Sequence, residues 1–82
     1  MKTLIEVERD KIDNIDKNIC NLLNERFEIV KRIGKIKKLQ KLEVINTGRE
    51  QFILENVEKN STHPKQSQEI FKKIIEVSRS LQ

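Results

Sequence analysis

Ile12, Ile15, Ile19, Leu22, Arg26, Ile29, Ile33 and Ile36 follow one another at intervals of 3, 4, 3, 4, 3, 4 and 3 residues. That alternation is a heptad seam, the pattern of a helix whose apolar line faces another helix. No proline or turn cluster interrupts it, so it predicts one helix from about Leu4 to about Leu39. At about 1.5 Å per residue, such a helix is roughly 54 Å long. A compact globule of 82 residues has a radius of gyration of only about 12 Å. The remaining half of the chain cannot cover so long a seam. The mismatch calls for a second copy of the protein, with isologous two-fold pairing as the default arrangement.

Two breaks follow the seam. Periodicity lapses between Gln40 and Gly48, and Asn60-Ser61-Thr62-His63-Pro64 is a cluster of turn formers. Between them, Thr47 with Glu50 three residues on fits a capping box. It opens a second helix that runs to about Glu58 with Ile53, Leu54 and Val57 inward. Beyond the second break, Ser61 or Thr62 can cap a third helix and Pro64 suits its first turn. Ile70, Phe71, Ile74, Ile75, Val77, Ser78 and Leu81 carry helical spacing to Gln82. No segment alternates as a strand does. The expected fold is all-α, one domain over residues 1–82, with three helices per chain, the first very long.

Composition narrows the function classes. Seventeen basic residues against 13 acidic ones give a formal charge of +4, which leans toward anionic partners. The densest basic run, Lys35-Ile36-Lys37-Lys38 with Lys41 beyond, has no interleaved aromatics and no nucleic-acid-binding motif. Lys35, Lys38 and Lys41 therefore read as a solvated helix face. No stretch nears the ~18 consecutive apolar residues of a membrane span. Glu6 and Glu8 come too early for a signal peptide. A soluble cytoplasmic protein is expected. One cysteine, Cys20, and one histidine, His63, make neither an internal disulfide nor a zinc site, and no cofactor is expected.

One residue breaks the seam. Arg26 takes a core slot, where a guanidinium cannot lose its proton and costs several kcal/mol to bury unpaired. Either it snorkels or pairs with Glu25 or an acid of the second copy, or it is a cation awaiting an anionic ligand. Lys37, eleven residues on, returns to within about 20° of the same face, some 16 Å further along the axis. On the last helix, Phe71, Ile75, Ser78 and Gln82 form a stripe that is apolar in its first half and polar in its second. Ser78 is equally explained by a bond to the carbonyl four residues back, and Gln82 by solvation at a helix end. Taken together, these residues suggest a cationic, hydrogen-bonding pocket in a helical bundle without a nucleophile.

Three spaced motifs then resemble one family. Arg9-x2-Ile12-x2-Ile15-Asp16-x2-Ile19-x2-Leu22-Leu23-x2-Arg26 is similar to the opening of the all-α chorismate mutases. Ile33-Gly34-x2-Lys37 with Arg49-Glu50 twelve residues beyond resembles their middle. Ile74-Ile75-Glu76-x-Ser78-x3-Gln82 resembles their end. The resemblance implies an intertwined homodimer converting chorismate to prephenate by an intramolecular [3,3] rearrangement that feeds phenylalanine and tyrosine synthesis. It implies that Arg26 and Arg9 bind the two carboxylates and that Lys37 and Gln82 donate to the ether oxygen. Glu50 would hold the ring hydroxyl, with Asn46 assisting through its backbone. Arg49 would lie beside that cluster, and Ser78 would reach a carboxylate.

Arg9 and Arg26 are 17 residues apart, about 25 Å along one helix, which exceeds a ligand of ~10 Å. Arg9 must then come from the partner subunit. The sequence departs from the family at Asn46, where many members have aspartate, in a short link between its second and third helices, and in placing Gln82 last. Two other readings remain open. One is isochorismate-pyruvate lyase on the same fold. The other is a basic helical dimerisation or nucleic-acid-binding module, whose binding would fall steeply with salt.

Overall fold

The computed structural model describes residues 1–82 as three helices without a strand. α1 spans Leu4–Leu39, the bounds that the seam predicts. Its start is a capping box: the Thr3 hydroxyl accepts from the Glu6 N–H at 3.2 Å, and the Glu6 carboxylate accepts from the Thr3 N–H at 2.9 Å. Its end is a Schellman turn, with Leu42 N–H to Lys37 O at 2.8 Å and Lys41 N–H to Lys38 O at 3.3 Å. Lys41 takes the left-handed conformation of that turn, at φ 57°, where glycine is usual.

α2 spans Thr47–Asn60, two residues beyond the expected end at Glu58. The Thr47–Glu50 capping box does not form. Asn46 is the cap, its side chain accepting from the Arg49 N–H at 3.0 Å, and Thr47 is the first helical residue. Asparagine is the stronger N-cap of the two, and Glu50 is engaged elsewhere. α3 spans Pro64–Leu81 with Pro64 in its first turn, as expected. Neither Ser61 nor Thr62 occupies the cap, which falls at His63 without a side-chain bond. Ser61 braces the link instead: its hydroxyl accepts from the His63 N–H at 3.0 Å and lies 2.6 Å from that of Ser67.

α3 is the middle layer, packing on both α1 and α2, while α1 and α2 do not pack on each other. On α1 the covered line runs through Val30 and Gly34, flanked by half-buried Leu23, Arg26, Phe27 and Lys37. The seam lies one step round the helix. Its seven apolar residues are 40–63% exposed, and from Leu4 to Leu22 the chain covers no residue of α1. Val30 and Ile75 are the buried apolar residues. The chain measures 59 × 23 × 16 Å with a radius of gyration of 16.4 Å, well above the ~12 Å of a compact chain of this length. No helix is long and apolar enough to cross a membrane.

Gly34 is where α1 and the end of α3 meet most closely. A Cβ there would lie 2.8 Å from Gln82 Cα and 3.1 Å from both its Cβ and its carbonyl oxygen. At an exposed helical site, Gly→Ala would stabilise by roughly 1 kcal/mol through helix propensity. Here the neighbour is backbone, and overpacking typically costs ~1–3 kcal/mol. Gly34→Ala is therefore expected to lower the melting temperature despite its better propensity. An unchanged or raised melting temperature would show that the end of α3 yields freely.

Candidate active site

The lower half of α1, the start of α2 and the end of α3 enclose a cavity of about 360 Å³. Arg26, Lys37, Asn46, Arg49, Glu50, Ser78 and Gln82 all line it. Of the residues the sequence singles out, only Arg9 is absent. It lies on the bare N-terminal half of α1, about 25 Å up the helix from Arg26.

Arg26 is half-buried, and its guanidinium donates to the Ser78 hydroxyl at 2.8 Å. That hydroxyl in turn donates to the Ile74 carbonyl at 2.6 Å. Ser78 thus makes the backbone bond that its helical position allows and also orients the arginine. Arg26 pairs neither with Glu25 nor with any other carboxylate of the chain. Burial, and then the like charge of Arg49, lower its pKa from the usual arginine value. Arg49 projects over the Phe52 ring, 5.2 Å from its centre, a contact that orients the guanidinium without neutralising it. Two guanidiniums therefore stand together with no acid between them.

The Lys37 ammonium donates to the Val44 carbonyl at 2.6 Å. The Schellman turn after Leu39, closed on the Lys37 carbonyl, also brings the chain back to place the Val44 carbonyl. An ammonium has three donors, so two remain for a ligand. Asn46 spends its side-chain oxygen on the α2 cap, which leaves its backbone for other contacts. Gln82 packs against Gly34, and its Oε1 is buried without a partner.

Glu50 points across to α3. Arg79 grips it with two donors, Nε to Oε2 at 2.9 Å and the terminal nitrogen to Oε1. The Arg79 hydrogen bond, followed by the charges of Arg79 and Lys37, holds the Glu50 carboxyl below its usual range against an opposing effect of burial. Arg79 is a residue that the sequence reading missed. It lies four residues after Ile75, so the signal was present one step off the Phe71–Gln82 stripe. The apolar floor from Val30, Ile53 and Ile75 was only partly foreseen.

Four cationic side chains and one carboxylate line the cavity. Such a surplus suits a small ligand with two negative charges. Residues 8–82 match the family described as chorismate mutase type II. The chain belongs to that family. A stretch of 49 residues, 60% of the chain, is 45% identical to the bifunctional chorismate mutase/prephenate dehydratase of Aquifex aeolicus (strain VF5). That alignment spans 14% of the Aquifex protein's length. The family match takes in all three helices, and its range includes every cavity-lining residue.

Proposed function

We propose that this domain isomerises chorismate to prephenate as a homodimer. The observation that carries the reading is the unpaired Arg26–Arg49 pair in a cavity shared with Lys37 and Glu50. Chorismate is a dianion with an ether oxygen and a ring hydroxyl. Arg26, oriented by Ser78, meets one carboxylate, and Arg9 of the partner subunit meets the other. The exposed seam supports the second copy, because its seven apolar side chains otherwise face water.

The reaction breaks the carbon–oxygen ether bond as a carbon–carbon bond forms, within one cycle of electrons. It needs no nucleophile and no proton transfer. The protein holds the compact diaxial conformer and stabilises charge developing on the ether oxygen, through Lys37 and the Gln82 amide. Glu50 accepts from the ring hydroxyl, and the Asn46 backbone assists. An acceleration of ~10⁶ corresponds to roughly 8 kcal/mol, within reach of two donors and a carboxylate clamp. The product would enter phenylalanine and tyrosine synthesis in the cytoplasm.

The test is incubation of the purified protein with chorismate, and separately with isochorismate, followed by product identification. Prephenate from chorismate is the expected result. Pyruvate from isochorismate with no turnover of chorismate would make it a lyase, and no turnover of either would remove the enzymatic reading.

A further inference from the structure

An acid and an ammonium that share a small cavity pose an electrostatic problem. Glu50 and Lys37 both line the site, and the lysine charge acts on the carboxylate. Opposite charges sharing a cavity attract, although among the causes acting on Glu50 the lysine charge ranks below Arg79. Yet the Lys37 ammonium donates to the Val44 carbonyl, and Glu50 lies with Arg79. A direct Glu50–Lys37 pair would neutralise the cation that the reaction needs.

Arg79 supplies the restraint. Its planar fork meets both carboxylate oxygens, fixing the plane of the group as well as its place. The pair also agrees with its helices: Glu50 lies in the first turn of α2 and Arg79 in the last turn of α3, each where the helix dipole favours its charge. We infer that Arg79 is a positioning residue, which presents Glu50 as a hydrogen-bond acceptor and keeps it off Lys37. The kinetic consequences rest on the mutase reading. The pairing itself does not.

The charged groups around Glu50 are Arg79 on α3, Lys37 and Arg26 on α1, and Arg49 on its own helix, with Glu76 acting on Arg79. Arg79 is the largest cause holding Glu50 below the usual carboxylate range. An activity that needs ionised Glu50 persists above its pKa and is lost as pH falls through it. Removing Arg79 raises that pKa, so the acid limb moves to higher pH.

The experiment has two arms on the full chain. Carbon-13 NMR of the Glu50 carboxyl is followed from pH 7 downward in the wild type, Arg79→Ala and Arg79→Lys. Steady-state kinetics are measured for Arg79→Ala with and without Glu50→Gln. The Glu50 titration is expected to move up in Arg79→Ala and to fall between the two in Arg79→Lys, which keeps charge without the fork. Arg79→Ala is expected to lower kcat/KM about 10-fold in the wild-type background, as misplacement of a positioned group does. In the Glu50→Gln background its cost should be under ~2-fold, the signature of two residues acting as one. An unmoved Glu50 titration would overturn the inference. So would an equal cost in both backgrounds, which would place Arg79 on the substrate itself. Absence of chorismate turnover in the wild type would remove the mutase reading, and the NMR arm would still decide the pairing.

Discussion

Replacing Lys37 with alanine is expected to lower chorismate turnover by at least ~10²-fold while leaving the fold intact, because one preorganised donor is typically worth ~10²–10³ in kcat. Little stability should be lost with it. The ammonium is near the surface of the cavity and its partner, the Val44 carbonyl, belongs to an exposed residue that water can serve. Circular dichroism and the melting temperature check the fold, and single-turnover kinetics check the chemical step. A variant that keeps more than about a third of wild-type turnover would reassign Lys37 to the solvated basic run with Lys35 and Lys38, because so small a change is under ~1 kcal/mol.

A mixture of two dead variants should recover activity. Arg9→Ala and Lys37→Ala each remove a different side chain, and on the shared-site reading each intact site draws these two from different subunits. After random subunit exchange about half the dimers are mixed, and each carries one whole site of two. Turnover should then reach roughly a quarter of the wild-type value. Recovery is the larger effect here, since either variant alone is expected to be nearly inactive. Exchange confirmed by mass spectrometry with no regained turnover would mean that each chain builds its site alone, and that Arg9 serves elsewhere.

The parts of the molecule most legible in the sequence are those set by local rules. α1 runs where an unbroken periodic stretch allows, and Pro64 opens α3 because it fits a first turn. The heptad seam is visible as an apolar line, but which surface covers it is not. α3 packs on the neighbouring line, through Val30 and Gly34, and a glycine that admits a helix end leaves no trace in hydrophobic periodicity. The start of α2 shows competition between adjacent residues: Thr47 fits a capping pattern, yet Asn46 takes the cap. Of the site, the residues standing against their apolar surroundings were readable. Arg26 and Lys37 share a face of α1, and Ser78 and Gln82 share one of α3, and all four line one cavity. Arg79 was not, because its meaning depends on Glu50, 29 residues away.

The layering of the helices has a consequence for selectivity. α1 carries Arg26 and Lys37, α2 carries Arg49 and Glu50, and the two helices meet only through α3. Ile75 is buried on α3, the helix that packs on both, and its aliphatic side chain forms part of the cavity floor between the charged residues. A methylene more or less at that position would change the room in the cleft without altering any of its charged groups. On the mutase reading, the room left for the substrate would then depend on the bulk of an uncharged residue as well as on the placement of the arginines.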